Sequence, residues 1–275
     1  MADDLISTRA LIEAMLRDDA TIDAGDLYAV GNALGMSDQQ IRLTVKRLVT
    51  EGQFTVAGRG RRAVLTATGE TISTITPDRE LVHLMYSQDR GGAQWDGVWH
   101  LAGFAVPESA RDARAVLRDT IRSLGGAAVQ GGLYTSPHAW EPELRAAARE
   151  VDADRFLTTL TCSDLDVGGR TGRDAAAHLW PLDELAAGHT RLADRAASTL
   201  DATDTADRNE RLVMAVALVA EFTRAHEDDP LLPPELLPAD WIGARARSLV
   251  DAAWAALSAA EPESTIRLLR WYDAR

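Results

Sequence analysis

Cysteine occurs once in the 275 residues, at Cys162, which rules out a disulfide within the chain and any metal site built from several thiolates. Lysine also occurs once: Lys46 is the only lysine among 29 bases, and with the many alanines this reads as coding bias. Positive charge is in deficit overall, 29 bases against 42 acids and a net charge of −13. Such a field is poor for a polyanion, so any nucleic-acid surface must be local. Long apolar runs are missing too. The longest, Leu212 to Ala220, has nine residues, against the roughly 20 of a membrane span. The start, Met1-Ala2-Asp3-Asp4, is acidic and lacks the basic region of a secretory signal, so the expectation is a cytoplasmic protein with no membrane partner. Catalytic signatures are absent as well: no Gly-x-Ser-x-Gly, no His-Glu-x-x-His, no Gly-Lys-Ser/Thr. None of the six histidines has another at i+3 or i+4, the local helical spacing of a zinc site. No catalytic residue, no metal ligand and no cofactor is therefore expected, and no enzymatic activity.

What is present is ordinary globular composition, 46% hydrophobic and 26% charged, over a length that suits two or three domains. In the first 75 residues, Leu5, Ile12, Met15 and Leu16 share one helical face, and Leu27, Val30 and Leu34 another. Ser37 is a good N-cap for a third helix marked by Ile41, Val45, Leu48 and Val49, which ends near Gly52. Two short alternating segments, 53–57 and 62–66, flank Gly58-Arg59-Gly60-Arg61, a hairpin tip. Thr68-Gly69-Glu70 opens another helix. Helix, helix, helix, hairpin, helix is the layout of a winged helix-turn-helix.

At about 100° per residue, the side of the third helix opposite Ile41 carries Gln39, Leu43, Lys46 and Thr50, flanked by Gln40 and Arg47, with Arg42 at the border. Glutamine suits base edges, and lysine or arginine suits phosphate or guanine. Residues 39–67 hold six bases (Arg42, Lys46, Arg47, Arg59, Arg61 and Arg62) against Glu51, a net of +5, which leaves −18 for the rest. With the cap Ser37, these are the expected DNA-binding residues, on double-stranded DNA. A winged helix used only for protein contact is the bland alternative.

A connector over 76–94, helical over 78–86, leads to a stretch of period two from Val98. Trp99 and Leu101 face one way, His100, Ala102 and Phe104 the other, and both sets are largely apolar, as in a central strand. A helix starting at Pro107 and Glu108 follows and carries Ala113, Leu117, Ile121 and Leu124 to Gly125-Gly126. Strands at 127–129 and 133–135, a helix at 141–151 and a strand at 156–162 complete β-α-β-β-α-β, the ferredoxin-like pattern. From Asp174 the chain reads as helical and acidic. Leu179, Leu182, Leu185 and Leu192 mark one helix or a bent pair, and Leu212 to Phe222 is apolar nearly all round. The expected fold class is α+β multidomain: a winged helix-turn-helix over 1–75, a ferredoxin-like domain over 95–165, and a helical C-terminal domain over 174–275.

Trp95-Asp-Gly-Val-Trp-His-Leu, Phe104-Ala-Val-Pro-Glu and Arg111 with Arg114 resemble the middle domain of PaaX-like transcriptional repressors. So do Gly131-Gly-Leu-Tyr-Thr-Ser-Pro137 and, most specifically, Asp229-Pro-Leu-Leu-Pro-Pro-Glu-Leu-Leu-Pro-Ala-Asp-Trp241. Ser37 through Gly52 resembles the family's recognition-helix segment. The resemblance implies a dimeric repressor, an operator that is an inverted repeat, and release by a small acyl-CoA-type effector. It also implies a middle domain similar to a small CRISPR-adaptation nuclease, whose metal-binding aspartate is replaced here by Ala105. A metal-dependent nuclease is thus the enzymatic alternative, and Ala105 counts against it. For the effector, the expected residues are Trp99, from an aromatic cleft between the middle and C-terminal domains, and Arg111, Arg114 and Arg118 on one side of the middle helix, where guanidinium groups meet phosphates.

Overall fold

The computed structural model describes residues 6–69, 71, 79–107 and 110–270. Its contacts divide the chain into two compact units that are not contiguous in sequence. The first gathers residues 1–78, 188–224 and 243–275; the second gathers 79–187 and 225–242.

In the first unit, helix α1 (Thr8–Ala14) starts at Ser7, whose hydroxyl accepts from the Ala10 N–H. Strand β1 (Thr21–Asp23) leads directly into α2 (Ala24–Ala33), capped by the Asp23 carboxylate. Helix α3 (Asp38–Thr50) follows, then β2 (Phe54–Ala57) and β3 (Val64–Ala67). The three strands form an antiparallel sheet in the order β1-β3-β2. Leu11, Ile12, Leu27, Val30, Ile41 and Leu48 from the helices and Ile22, Phe54 and Leu65 from the sheet are all buried. Most of the described periodic residues of α1–α3 thus form the core they mark; Val45 is half-buried, Val49 is 37% exposed, and Leu5 lies outside the described residues. Val49 lies about 80° from Ile41 around the helix, at the edge of the buried stripe. Strand β1 has no counterpart in the sequence reading, because three residues carry no period. The helix expected from Thr68-Gly69-Glu70 falls mostly outside the described residues.

The C-terminal helices in this unit anchor to the N-terminal ones through named bonds. They comprise the distal part of α8 (Leu182–Ala202), α9 (Arg208–His226) as far as 224, and α10 (Ile242–Ala260). Arg208 on α9 makes a double hydrogen bond to the Asp26 carboxylate of α2, both at 3.1 Å, and Arg17 adds a third at 3.1 Å. After α10, residues 265–267 run beside 16–18. The Asp18 N–H donates to the Thr265 carbonyl, and the Arg267 N–H donates to that of Leu16. The apolar run in α9 is buried as its composition requires, with Leu212, Ala215, Val216 and Leu218 within 2% of complete burial.

The second unit opens with α4 (Arg79–Asp89) and continues β4 (Trp99–Phe104), α5 (Arg111–Ser123), β5 (Ala127–Gln130), β6 (Leu133–Ser136), α6 (Glu141–Glu150) and β7 (Leu157–Cys162). The sheet is antiparallel throughout, in the order β5-β6-β4-β7. Helices α5 and α6 cover one face. Ala113 and Leu117 pack with Val106 and Ala148, and Ile121 and Leu144 pack with Ala102 and Trp140. The other face of β4, through Trp99 and Leu101, is covered by α7 (Gly172–Leu179) and by the proline-rich segment with Leu232, Leu236 and Leu237. Strand β4 is therefore central and apolar on both faces, as read. Helix α5 starts at Arg111 rather than near Pro107; residues 108–109 lie outside the described set.

Local chemistry explains the breaks. Trp180 is extended because Pro181 excludes the helical region for the residue before it, so the expected bent pair is two helices, α7 and α8. Helix α5 ends at Gly125 (φ 74°), with the Gly125 N–H donating to the Arg122 carbonyl and the Gly126 N–H to that of Ile121. A side chain at position 126 would put its Cβ 2.2 Å from Cζ3 of Trp140, so only glycine fits there.

Candidate nucleic-acid interface

Helix α3 begins with a reciprocal cap. The Ser37 hydroxyl accepts from the Gln40 N–H at 3.2 Å, while Gln40 Oε1 accepts from the Ser37 N–H at 2.7 Å and from its hydroxyl at 2.8 Å. The Ser-x-x-Gln spacing that signals this box is visible in the sequence. It gives Gln40 a structural task, where the sequence suggested a base-reading one.

With the start fixed, the outward face of α3 follows from its period. Gln39, Arg42, Leu43, Lys46, Arg47 and Thr50 are all exposed, opposite the buried Ile41 and Leu48. Arg47 lies 3.8 Å from Glu51, one turn on, an exposed pair of small energetic weight. Arg42 and Lys46 have no ion-pair partner among the described residues.

The β2–β3 turn supplies three more arginines. It closes through a single 3₁₀ turn at Gly60–Arg62. Arg61 folds back on the helices: its guanidinium donates to Asn32 Oδ1 at 3.2 Å, stands 3.4 Å from Asp38 and lies over the Tyr28 ring at 5.4 Å. Asn32 in turn donates to the Asp38 carboxylate and to the Met36 carbonyl. Arg61 therefore braces the turn against α2 and the start of α3. Arg59 and Arg62 are exposed, and neither has an ion-pair partner among the described residues.

The residues expected to meet an effector are placed differently. Trp99 is 1% exposed; Trp180 stacks on it with centroids 6.3 Å apart, and Trp95 meets its edge at 5.1 Å. It is core of the second unit, packed against these neighbours. Arg111 is exposed and stands 3.7 Å from Asp112. Arg114 and Arg118, by contrast, line one cavity of about 440 Å³, with Phe104, Ala105, Gly131, Gly132 and Tyr134. The Phe104 and Tyr134 rings stack there at 5.6 Å. Arg114 also donates to the Val106 carbonyl at 2.6 Å, and Arg118 stands 3.6 Å from Asp119. The side chains that line this cavity include no carboxylate among the described residues.

Two further groups were invisible to spacing rules. His100 Nδ1 lies 2.7 Å from Glu141 Oε1, a hydrogen bond that holds the Glu141 carboxyl below the usual range against the opposing effect of burial. The Leu231 carbonyl takes Gln88 Nε2 at 3.0 Å and His138 Nε2 at 2.9 Å, and the Leu231 N–H donates to Asp229 at 2.9 Å. Leu231 itself has φ 50°, so these bonds hold the proline-rich segment in a conformation a leucine seldom adopts. Burial keeps the His138 ring below the usual histidine range. The proline-rich stretch is thus a cover clamped over the tryptophan core, closed further by Arg173 donating to the Glu235 carbonyl.

Comparison with known proteins adds three findings. None of the curated proteins matches the chain. A solved structure, the uncharacterized protein Rv0674 from Mycobacterium tuberculosis, superposes with a TM-score of 0.56 over 94% of this chain and 99% of that one at 24% identity, a likeness of fold. Residues 92–176 match the model of the PaaX protein central Cas2-like domain, and residues 180–263 that of the PaaX-like protein C-terminal domain. Since these two matches, adjacent and in order, span more than half of the sequence, this chain belongs to the PaaX family.

Proposed function

We propose that this protein is a sequence-specific DNA-binding transcriptional regulator, a repressor whose residues 6–69 act as a winged helix-turn-helix and whose sheet β5-β6-β4-β7 is a ferredoxin-like middle domain. Membership of a family of regulators supports the broad reading. The observation that carries the DNA assignment is the cationic surface: Arg42, Lys46, Arg59 and Arg62 stand exposed with no carboxylate partner among the described residues, in a protein of net charge −13. Cations kept apart from so many acids suit a polyanion, and phosphate contacts position a reading helix on the duplex. In this reading α3 lies in the major groove, and the β2–β3 turn contacts the adjacent backbone.

One reading helix covers few base pairs, so the reading includes a homodimer on an inverted repeat. It also includes an acidic effector of the acyl-CoA type whose phosphates meet Arg114 and Arg118 at the second-unit cavity. An effector releases DNA only by its differential affinity for the two states. The nuclease alternative needs a carboxylate where Ala105 stands.

A mobility-shift titration on the DNA upstream of the protein's own coding region tests the assignment. Binding that survives an excess of random duplex is expected. Binding equal to that of random duplex, or none, would refute it in favour of a winged helix that serves protein contacts.

A further inference from the structure

We propose that Leu43 reads thymine: its side chain packs against the C5-methyl group of a T·A pair that stands beside the base read by Gln39. The inference rests on the DNA-binding reading above and sharpens it. Leu43 is 56% exposed, more than any other large hydrophobic residue described. It lies outside the core, whose side of α3 is filled by Ile41 and Leu48. It lies about 200° around the helix from Ile41, in the middle of the outward face. Gln39 lies one turn before it and Lys46 one turn after, with Arg42 and Arg47 at the flanks.

The surroundings decide what a leucine in that place can meet. A protein partner would need a contiguous apolar patch, and the neighbours on this face are polar or cationic. Val49, the other exposed aliphatic of α3, lies about 120° away around the helix. In the major groove the thymine methyl is the one apolar group displayed, and it is read by apolar contact. The cations around Leu43 suit the phosphates on either side of the groove. The cap adds a second constraint. Gln40 spends its carbonyl oxygen on Ser37, so it cannot offer the paired donor and acceptor that adenine requires. Of the two glutamines, Gln39 is left for hydrogen-bonded reading beside the methyl reading of Leu43, a combination that favours an A/T-containing half-site.

The test uses the full-length protein and a duplex enriched by in vitro selection from random DNA. Each thymine of the enriched site is replaced in turn by deoxyuridine, which deletes only the methyl group. At one position per half-site the wild type is expected to lose about fourfold in affinity, the value of one methyl-sized group returned to water. Leu43→Ala should bind the thymine site more weakly and show no uridine penalty there. Lys46→Ala should bind more weakly on every duplex and keep the penalty. Salt-sensitive, selective binding with no uridine penalty, or with the same penalty in Leu43→Ala, overturns the role of Leu43 and leaves the DNA-binding reading intact. Failure to enrich any sequence overturns both.

Discussion

Single residues in this protein do work that their type alone does not announce. Gly126 is fixed by packing: Trp140 and the Ile121 carbonyl occupy the space of a Cβ. Gly126→Ala should therefore cost about 1–3 kcal/mol as overpacking, read as a lower urea midpoint with an unchanged slope. Asp26 is fixed by charge. Burial raises its carboxyl, but the hydrogen bonds and charge of Arg208 and Arg17 outweigh that and hold it below the usual aspartate value. A lowered folded value means stability that is present above about pH 3.9, the unfolded value, and lost as pH falls through the folded one. Asp26→Asn should thus be less stable than wild type at pH 7, by about 1–3 kcal/mol, and the gap should close as pH falls below the unfolded value and through the folded one. A gap unchanged across that range would show that the ion pairs contribute nothing. Trp99 teaches the converse. Seven tryptophans in the sequence invite an aromatic cleft, yet composition cannot say whether rings line a space or fill one, and here Trp180 and Trp95 fill it.

At the scale of elements, α3 was legible because one amphipathic turn repeats over 13 residues behind a strong cap. Strand β4 was legible because both of its faces are apolar, which cover on both faces requires. Strand β1 was not, since its three residues are defined by pairing with β3, as Ile22 pairs with Leu65, a contact distant in sequence that no local pattern encodes. The brace made by Arg61 escaped for the same reason: its partners Asn32, Asp38 and Tyr28 come from other elements. The cap itself separates two roles for the start of α3. Ser37→Ala should lower stability by about 0.5–2 kcal/mol. Gln40→Ala should weaken binding to all duplexes alike, through a looser helix start, while leaving base preference unchanged. Gln39→Ala should leave the melting temperature unchanged and relax preference at one base pair, worth about 1–3 kcal/mol if the contact is bidentate. Competition binding with single-base variants, beside thermal melts, distinguishes the three; altered base preference in Gln40→Ala would contradict the assignment.

For the whole molecule the governing quantity is charge. Residues 39–67 carry +5 in a chain of −13, so under the proposed function DNA affinity would come from a few cations against a repulsive remainder. Binding should accordingly be steeply weakened by salt, and the slope should count the phosphates neutralised, about 0.9 in log K per log salt for each contact. The direct measurement is a fluorescence-anisotropy titration of the full-length protein on its enriched duplex at several salt concentrations, beside the double variant Arg42→Ala/Lys46→Ala. If both residues touch phosphate, the variant's slope should be flatter by about 1.8 for one bound copy of the proposed winged helix and by about 3.6 for two, so the same data test the proposed homodimer. Equal affinities and equal slopes for the two proteins would contradict a DNA interface built on α3.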